Sequence, residues 1–292
     1  MLQSIADSIS LGSLYSLFAL GIALIFGIMR LVNFAHGELI MLSALTVVVL
    51  DDAPLVVMLA GALAVPAVVA IAMDRAVFSR ARSAKPTTLL VISFGLSIFI
   101  QNLTLTLRGN TLPEGASVAP WLNEREEIGS VIVSRLSILT VVLVVVLMVA
   151  LGAFLRYTAI GVQMRAAAED FEMSRLLGVR ANVVISVAFL ISGVLAGVAG
   201  ILIMAQTGTW SADMGLTPVI FGFVAAVLGG LGSLSGAVIA GYLLGALSTV
   251  LQQTLPDGVI AYRNSFLFLI VLAVLLLRPG GIVQLKTMME RV

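Results

Sequence analysis

The feature that most constrains this chain is a succession of apolar runs separated by short polar interruptions. A membrane-spanning helix needs about 20 mostly apolar residues. The candidate segments are 9–29, 31–50, 54–73, 89–107, 136–155, 183–205, 218–230, 234–252 and 264–277, of which two are short. Only 11% of the 292 residues are charged, against roughly 25% in a soluble domain. We therefore predict an all-α, polytopic transmembrane helix bundle in one domain, residues 1–292, with about eight to nine spans including broken or re-entrant helices.

Charge between the apolar runs predicts the orientation of the bundle. Basic residues form three groups, namely Arg75, Arg80, Arg82 and Lys85; Arg156, Arg165, Arg175 and Arg180; and Arg278, Lys286 and Arg291. The positive-inside rule places all three groups in the cytoplasm. The loop 108–135 then lies outside, because one span separates it from each neighbouring basic loop. The N-terminus lies outside if the second segment crosses the membrane, and inside if that segment is re-entrant.

Several functional classes are excluded by what the sequence lacks. A net charge of +1 with scattered basic residues gives no surface for nucleic acid. The absence of Cys and the presence of a single His exclude disulfides and thiol catalysis and disfavour a zinc site. Neither a GxxxxGK[ST] phosphate loop nor a GxSxG elbow is present, so the chain has no recognised route to hydrolyse ATP. We expect no cofactor and no enzymatic activity.

The most informative polar run is Asn33-Phe34-Ala35-His36-Gly37-Glu38, which has apolar sequence on both sides. Unsatisfied polar groups cost several kcal/mol in hydrocarbon. On a continuous helix Asn33, His36 and Gly37 share one face, whereas a break at Gly37 makes Glu38 the start of a half-helix. The alternatives are a cap for Glu38 and an interhelical bond for His36. We predict that Asn33, His36, Gly37 and Glu38 line a translocation pathway.

Two further features admit both pathway and packing interpretations. The glycine-rich stretch 228–236, which includes Gly229, Gly230 and Gly232, predicts a break between half-length helices, with Arg30 to Gly37 as its possible counterpart. Gln101 and Asn102 form a polar pair near the outer end of their segment, where interface packing is favoured. A separate set of small residues, Gly193, Gly197 and Gly200, falls on one helix face and predicts close helix packing.

The second strong feature is a cytoplasmic stretch, residues 161–178. It is rich in helix-forming residues and ends at Gly178, so we predict a short helix. Its mixture of small, apolar and charged residues suits docking against another protein better than against anionic lipid. A solvated loop helix is the alternative.

Five motifs, in order along nearly the whole chain, resemble the permease subunits of branched-chain (hydrophobic) amino-acid ABC importers. They are the stretches 27–38, 82–85, 95–102, 165–178 and 227–233. The resemblance implies a bacterial plasma (inner) membrane location and a complex with a second, usually non-identical, permease subunit, two cytoplasmic ATPase subunits and a periplasmic substrate-binding protein. It also implies that 161–178 is the ATPase-coupling helix, with the residues Arg165, Ala168, Glu169, Asp170, Leu177 and Gly178.

The function expected from this resemblance is alternating access, driven by ATP hydrolysis in the partner subunits. An importer of the same architecture for urea, short amides or another small organic solute is an alternative, because similar permeases serve different binding proteins. An ion-coupled secondary transporter would need carboxylates deep in several spans, and Glu38 is the only good candidate. A membrane enzyme is the weakest alternative, because no paired catalytic residues are evident.

Overall fold

The computed structural model describes residues 2–82, 84–109, 114–116, 118–128, 131–278 and 280–282, and these are almost entirely helical. The helices are α1 (Leu2–Met29), α2 (His36–Val49), α3 (Leu55–Met73), α4 (Ser79–Ala81), α5 (Pro86–Arg108), α6 (Arg135–Tyr157), α7 (Ala159–Glu169), α8 (Phe171–Leu176), α9 (Ala181–Thr207), α10 (Leu216–Gly229), α11 (Leu234–Thr254) and α12 (Arg263–Leu277). A π-helical turn, Asp74–Phe78, joins α3 to α4. The predicted cytoplasmic residues Lys286 and Arg291 lie outside the described residues.

Seven of these helical segments are long and apolar enough to cross a membrane, and the predicted polytopic bundle is confirmed. Two apolar helices, α2 and α10, have 14 residues each and therefore extend only about 21 Å, less than the roughly 30 Å of hydrocarbon. Each follows a non-helical stretch, 30–35 before α2 and 208–215 before α10. Six residues reach at most about 20 Å when fully extended, so a stretch that includes a turn can still cover the remaining distance of roughly 9 Å. Each short helix and its non-helical stretch together therefore form one broken span.

The helices form two repeats of opposite orientation. The first repeat contains α1, α2, α3 and α5, and the second contains α9, α10, α11 and α12, with α6 between them. Gln3 of α1 bonds the backbone of Ile132 in the outer loop at 2.9 Å, so α1 begins outside and runs inward, whereas α9 begins at the cytoplasmic loop and runs outward. Together with the charge pattern of the loops, this direction predicts that the N-terminus lies outside.

Small residues hold the two repeats together. Across the repeats, α1 packs on α11 and α9 packs on α3. A Cβ on Gly241 of α11 would lie 2.6 Å from the Cα of Ser16, and one on Gly193 of α9 would lie 2.7 Å from the carbonyl oxygen of Pro66. Gly197 and Gly200 are similarly close to α3 and α2. The predicted packing role of the α9 glycines is confirmed, since Gly193 and Gly200 leave no room for a side chain and Gly197 leaves very little.

The glycine-rich stretch 228–236 is the inner turn expected from charge, but the prediction that it pairs with the break at Arg30 to Gly37 is wrong. It joins the cytoplasmic ends of α10 and α11, where Gly229 and Gly236 are in backbone contact. Gly230 and Gly232 have positive φ of 97° and 93°, a conformation that ends a helix. The structural counterpart of 30–35 is instead 208–215.

The single helix predicted for 161–178 is also wrong, because the segment contains two helices. Asp170 has an extended φ of −145°, and its Oδ1 accepts a bond from the backbone NH of Met173 at 2.9 Å. It therefore caps the start of α8 and interrupts the helix. Gly178, with φ of 91°, ends the segment as predicted.

On the outer side, four short strands order the loops. Strands β2 (Arg125–Ile128) and β3 (Val131–Ser134) form a hairpin, while β1 (Glu114–Gly115) pairs with β4 (Thr209–Trp210). Strand β4 belongs to the second non-helical stretch, so the outer loop is attached directly to the second broken span.

Candidate translocation site

The two half-helices meet at their N-termini. A Cβ on Gly37, in the first turn of α2, would lie 2.5 Å from the carbonyl oxygen of Gly215, the residue before α10. A Cβ on Gly215 would come closer still to the backbone of Gly37. Glycine is therefore required on both sides, and the contact brings two positive helix ends together inside the bundle. The break considered at Gly37 lies earlier in the structure, at 30–35, because α2 already begins at His36. The sequence did not predict the contact of Gly37 with Gly215.

His36 is fixed by packing and by hydrogen bonds. Its side chain is buried, and Nδ1 lies 3.1 Å from Oγ of Ser192, which also donates to the carbonyl oxygen of Gly21 at 3.0 Å. The imidazole occupies the space that a side chain at Gly21 would need. These contacts match the interhelical bond that was the alternative for His36.

Asn33 shapes the break and also leaves a polar group free. Its Oδ1 accepts a bond from the NH of Ala35 at 3.1 Å, which stabilises the turn that precedes α2. Its Nδ2 is buried and has no hydrogen-bond partner among the described residues. Buried donors without partners are uncommon because each costs about 1–3 kcal/mol. Nδ2 therefore keeps an unused hydrogen-bond donor beside the break.

Glu38 presents a similar free atom on the other side of the break. Its Oε1 accepts a bond from Oγ of Ser97 at 2.7 Å. Its Oε2 is buried and, in the described part of the chain, lacks a partner. The carboxylate follows the N-terminus of α2, where the helix dipole favours negative charge. Glu38 thus both complements the helix and offers an acceptor.

Helix α5 contributes a polar stripe that contacts both breaks. Ser93 Oγ lies 3.2 Å from the carbonyl oxygen of Val32 in the first break, and Ser97 reaches Glu38. Gln101 Nε2 donates to the carbonyl oxygen of Ala212 in the second break at 3.1 Å. Sequence reasoning missed Ser93 and Ser97, although their spacing of four residues from each other and from Gln101 was a readable signal.

The remaining pathway candidates lie elsewhere. Asn102 bonds to the carbonyl oxygen of Ile98 in its own helix at 2.8 Å and is exposed. Gly229, Gly230 and Gly232 lie in the turn between α10 and α11 at the cytoplasmic end. Gly232 is beside the start of the first break, since a Cβ on it would lie 3.8 Å from Nη1 of Arg30.

Aromatic rings border the first break. The ring of Phe34 lies 5.7 Å from that of Phe94 on α5, at an edge-to-face angle, and 5.8 Å from that of Phe223 on α10. An apolar cluster of rings therefore borders the same break that contains Asn33. This combination of a positive helix end, a carboxylate and an apolar wall suits a small zwitterion with an apolar side chain. No cluster of metal-binding side chains occurs among the residues that the structure describes.

The cytoplasmic segment α7–α8 is fixed at one end and exposed at the other. Arg165 Nε donates to the carbonyl oxygen of Leu155 at 2.9 Å, and Ala168 accepts a bond from Arg30 at 3.5 Å. Glu169 and Asp170 are exposed. The end of α8 exposes large apolar side chains, with Leu176 82% and Leu177 80% exposed. These leucines lie at the cytoplasmic surface and form a small apolar patch.

Comparison with known proteins identifies relatives over almost the full length. Residues 4–276 match the family model for the permease component of the branched-chain amino acid transport system. The permease protein BraD of a high-affinity branched-chain amino acid transport system in Pseudomonas aeruginosa is 31% identical, covering 96% of this chain and 95% of BraD. The corresponding permease LivH of Escherichia coli K12 is 33% identical, covering 96% of this chain and 94% of LivH. No solved structure gives a significant match.

Proposed function

Because this chain belongs to the family of permease components of branched-chain amino acid transport systems, we propose that it forms half of the translocation pathway of an ATP-driven importer for branched-chain or other hydrophobic amino acids. The chain acts as one permease domain in the plasma (inner) membrane. It is a transport subunit, and its partners supply ATP hydrolysis.

The observation that carries the proposal is the pair of free polar atoms where the two half-helices meet. An amino acid needs groups for its carboxylate, its ammonium and its side chain. The N-termini of α2 and α10 suit the carboxylate, Glu38 Oε2 suits the ammonium, and the rings around Phe34 suit an apolar side chain. Asn33 Nδ2 supplies one more donor for the carboxylate.

The packing supports a pathway along the surface of the chain. Helix α1 fills the centre, with 94% of its most apolar window buried, whereas only 22% of the corresponding window of α5 is buried. The polar stripe of α5 lies beside this exposed surface. A second permease subunit, expected to be a non-identical homologue, covers α5 and completes the pathway between the two chains. Substrate then binds near Glu38 and the α5 stripe.

The cytoplasmic segment α7–α8 couples the permease to two ATPase subunits. The exposed leucines of α8, Leu176 and Leu177, dock in the ATPase, while Arg165 attaches α7 to the end of α6. Movement of the ATPases thereby shifts the helices and exposes the site to alternate sides. A periplasmic substrate-binding protein delivers the amino acid to the outer loops.

Uptake by the reconstituted complex tests the substrate and the energy source. The chain, its second permease, its ATPases and its binding protein are placed in proteoliposomes, and uptake of labelled leucine, urea and acetamide is measured with and without ATP. We expect ATP-dependent leucine uptake. ATP-dependent uptake of urea or acetamide but not leucine would assign the alternative solute class, and leucine uptake driven by an ion gradient without ATPases would refute the proposal.

The docking role of α8 is tested with matched pairs of exposed leucines. Changing Leu176 and Leu177 together to Ser is expected to abolish capture of the ATPase subunits by the purified permease. The control changes Leu276 and Leu277 to Ser, because these are 77% and 84% exposed at the cytoplasmic end of α12. Equal ATPase capture by both double variants would refute the docking role.

Glu169→Lys is expected to reduce the uptake achieved for each ATP hydrolysed.

A further inference from the structure

A second site is suggested by a cavity of about 680 Å³ at the cytoplasmic ends of the spans. It lies between α4 and the segment that connects α8 to α9, away from the contact of the two half-helices. The lining residues that bear on its chemistry are Arg82, Phe171, Arg175, Arg180, Asn182 and Val183.

The cavity carries an excess of positive charge. Arg82 is compensated by the buried Asp74, at 2.8 Å, and also contacts Asn182. No ion pair joins Arg175 or Arg180 to any residue within the described ranges, and both are exposed. None of the lining residues is acidic. Two guanidinium groups therefore remain free to bind an anion, and their planar forks match phosphate oxygens.

The start of α9 adds backbone donors to the same cavity. Residues Ala181 and Asn182 are the first two of the helix, and the preceding residue, Arg180, makes no side-chain cap bond. The first NH groups of an uncapped helix have no partner within the helix. Together with the positive helix end they favour a phosphate group.

The position of the cavity along the spans, and the apolar side chains at its edge, indicate which phosphate compound it binds. The end of a span is where lipid headgroups are expected. The cavity lies at the first turn of the membrane-spanning helix α9, with Ser79 of α4 on its other side. Val183 lines it and is 42% exposed, and Leu190, seven residues further along the same face of α9, is 37% exposed. This apolar face leads from the arginines towards the acyl chains. Basic pockets between spans on the cytoplasmic side suit anionic lipid headgroups.

We propose that this cavity binds the phosphate group of an anionic phospholipid from the cytoplasmic leaflet. Phe171 and Arg175 are four residues apart, so they lie on the same side of α8 and face the cavity. Leu176 and Leu177 do not line the cavity and stay exposed. The lipid therefore holds α8 from one side and leaves the apolar patch free. Its presence fixes the position of α8 relative to α9.

Lipid binding by the purified full-length chain tests this assignment. Phosphatidylglycerol and phosphatidylcholine with the same acyl chains are titrated in detergent, and bound lipid is counted by native mass spectrometry. The variant pair R175Q/R180Q is compared with R156Q/R278Q, which removes two cytoplasmic arginines outside the cavity. We expect roughly 30-fold weaker phosphatidylglycerol binding only in the cavity variant, since each arginine contributes about a factor of five.

Further variants and ligands distinguish lipid binding from loss of folding, binding of a soluble anion and ATPase docking. R175K/R180K keeps the charge but loses the planar fork, so an intermediate affinity is expected. Phosphatidylcholine binding should be the same in all variants, and circular dichroism should show that each variant remains helical. Equal loss of phosphatidylglycerol in the cavity and control variants, or no loss in either, would overturn the proposal. Inorganic phosphate that binds as tightly as the lipid would overturn the proposal in favour of a soluble anion. If R175Q/R180Q lost ATPase capture but bound phosphatidylglycerol as before, the cavity would be reassigned to the ATPase.

Discussion

Replacing Gly37 or Gly215 by alanine is expected to force the two half-helices apart. A Cβ on Gly37 would lie 2.5 Å from the carbonyl oxygen of Gly215, whereas a carbon and a carbonyl oxygen normally approach to about 3.3 Å. The half-helices must therefore separate by roughly 0.8 Å, the difference between these distances. The obstacle is backbone on both sides, so no side-chain rotation relieves it. Overpacking of this kind costs about 1–3 kcal/mol.

The two substitutions should differ in a defined order. A Cβ on Gly215 approaches the backbone of Gly37 more closely than the reverse, so Gly215→Ala should destabilise the chain more than Gly37→Ala. The control is Gly152→Ala in α6, because a Cβ there meets nothing within 4 Å. This control should be neutral or gain up to about 1 kcal/mol from helix propensity.

Equilibrium unfolding in mixed micelles measures these free energies. Trp210 is a natural probe, because it is buried and its Nε1 bonds the carbonyl oxygen of Met41 on α2 at 3.3 Å. Changing the exposed Trp121 to Phe makes the fluorescence specific to the second break, since the chain has only two tryptophans. A Gly215→Ala variant as stable as Gly152→Ala, or less perturbed than Gly37→Ala, would refute the close contact.

Three other predictions concern charged residues. Glu38→Gln keeps an acceptor for Ser97 but removes the charge proposed to bind the substrate ammonium. ATP-dependent leucine uptake should therefore fall at least about tenfold, with the free energy of unfolding unchanged. Uptake equal to that of the unchanged chain would refute this role of Glu38. Asp74→Ala leaves Arg82 without its 2.8 Å partner and should cost about 3–5 kcal/mol in the same unfolding assay, whereas a loss below roughly 1 kcal/mol would mean the pair is solvated. Arg30→Gly should preserve stability but lower the uptake per ATP hydrolysed, and unchanged coupling would exclude Arg30 as a link to α7.

The apolar spans could be predicted, and an orientation could be proposed for them, because both depend on local sequence. Apolar length determines whether a helix can cross the bilayer, and arginines and lysines near span ends determine the side on which loops lie. A polar interruption at Asn33 to Glu38 was evident for the same reason, but local sequence did not distinguish a continuous helix from the break that the structure has at 30–35. Glu38 and Asn33 retain free atoms there, as a site requires.

The partners across the bundle were not predictable from local patterns. The second break contains Trp210 and Ala212 among polar residues, so it resembles an ordinary outer loop, whereas the glycines near Gly230 gave a stronger but misleading signal. The spacing of Ser93, Ser97 and Gln101 marks a polar face of α5, but it does not show what that face contacts. Their function depends on what α5 packs against, which is a tertiary property. The helix interruption at Asp170 was easier to predict from the sequence, because aspartate is a preferred residue at the start of a helix.

The symmetry of the two repeats gives Arg30 a particular significance. Arg30 follows α1 and Gly208 follows α9, and both have positive φ, 52° and 65°, with the NH bonded four residues back at 2.8 Å. Glycine adopts this conformation freely, whereas any other residue pays roughly 1–2 kcal/mol. The first repeat bears that cost for a side chain that reaches the carbonyl oxygen of Ala168 at 3.5 Å. Arg30 therefore connects the first residue of the break directly to α7. We predict that movement of the cytoplasmic segment reaches the break through this contact, which is the link that the Arg30→Gly variant removes.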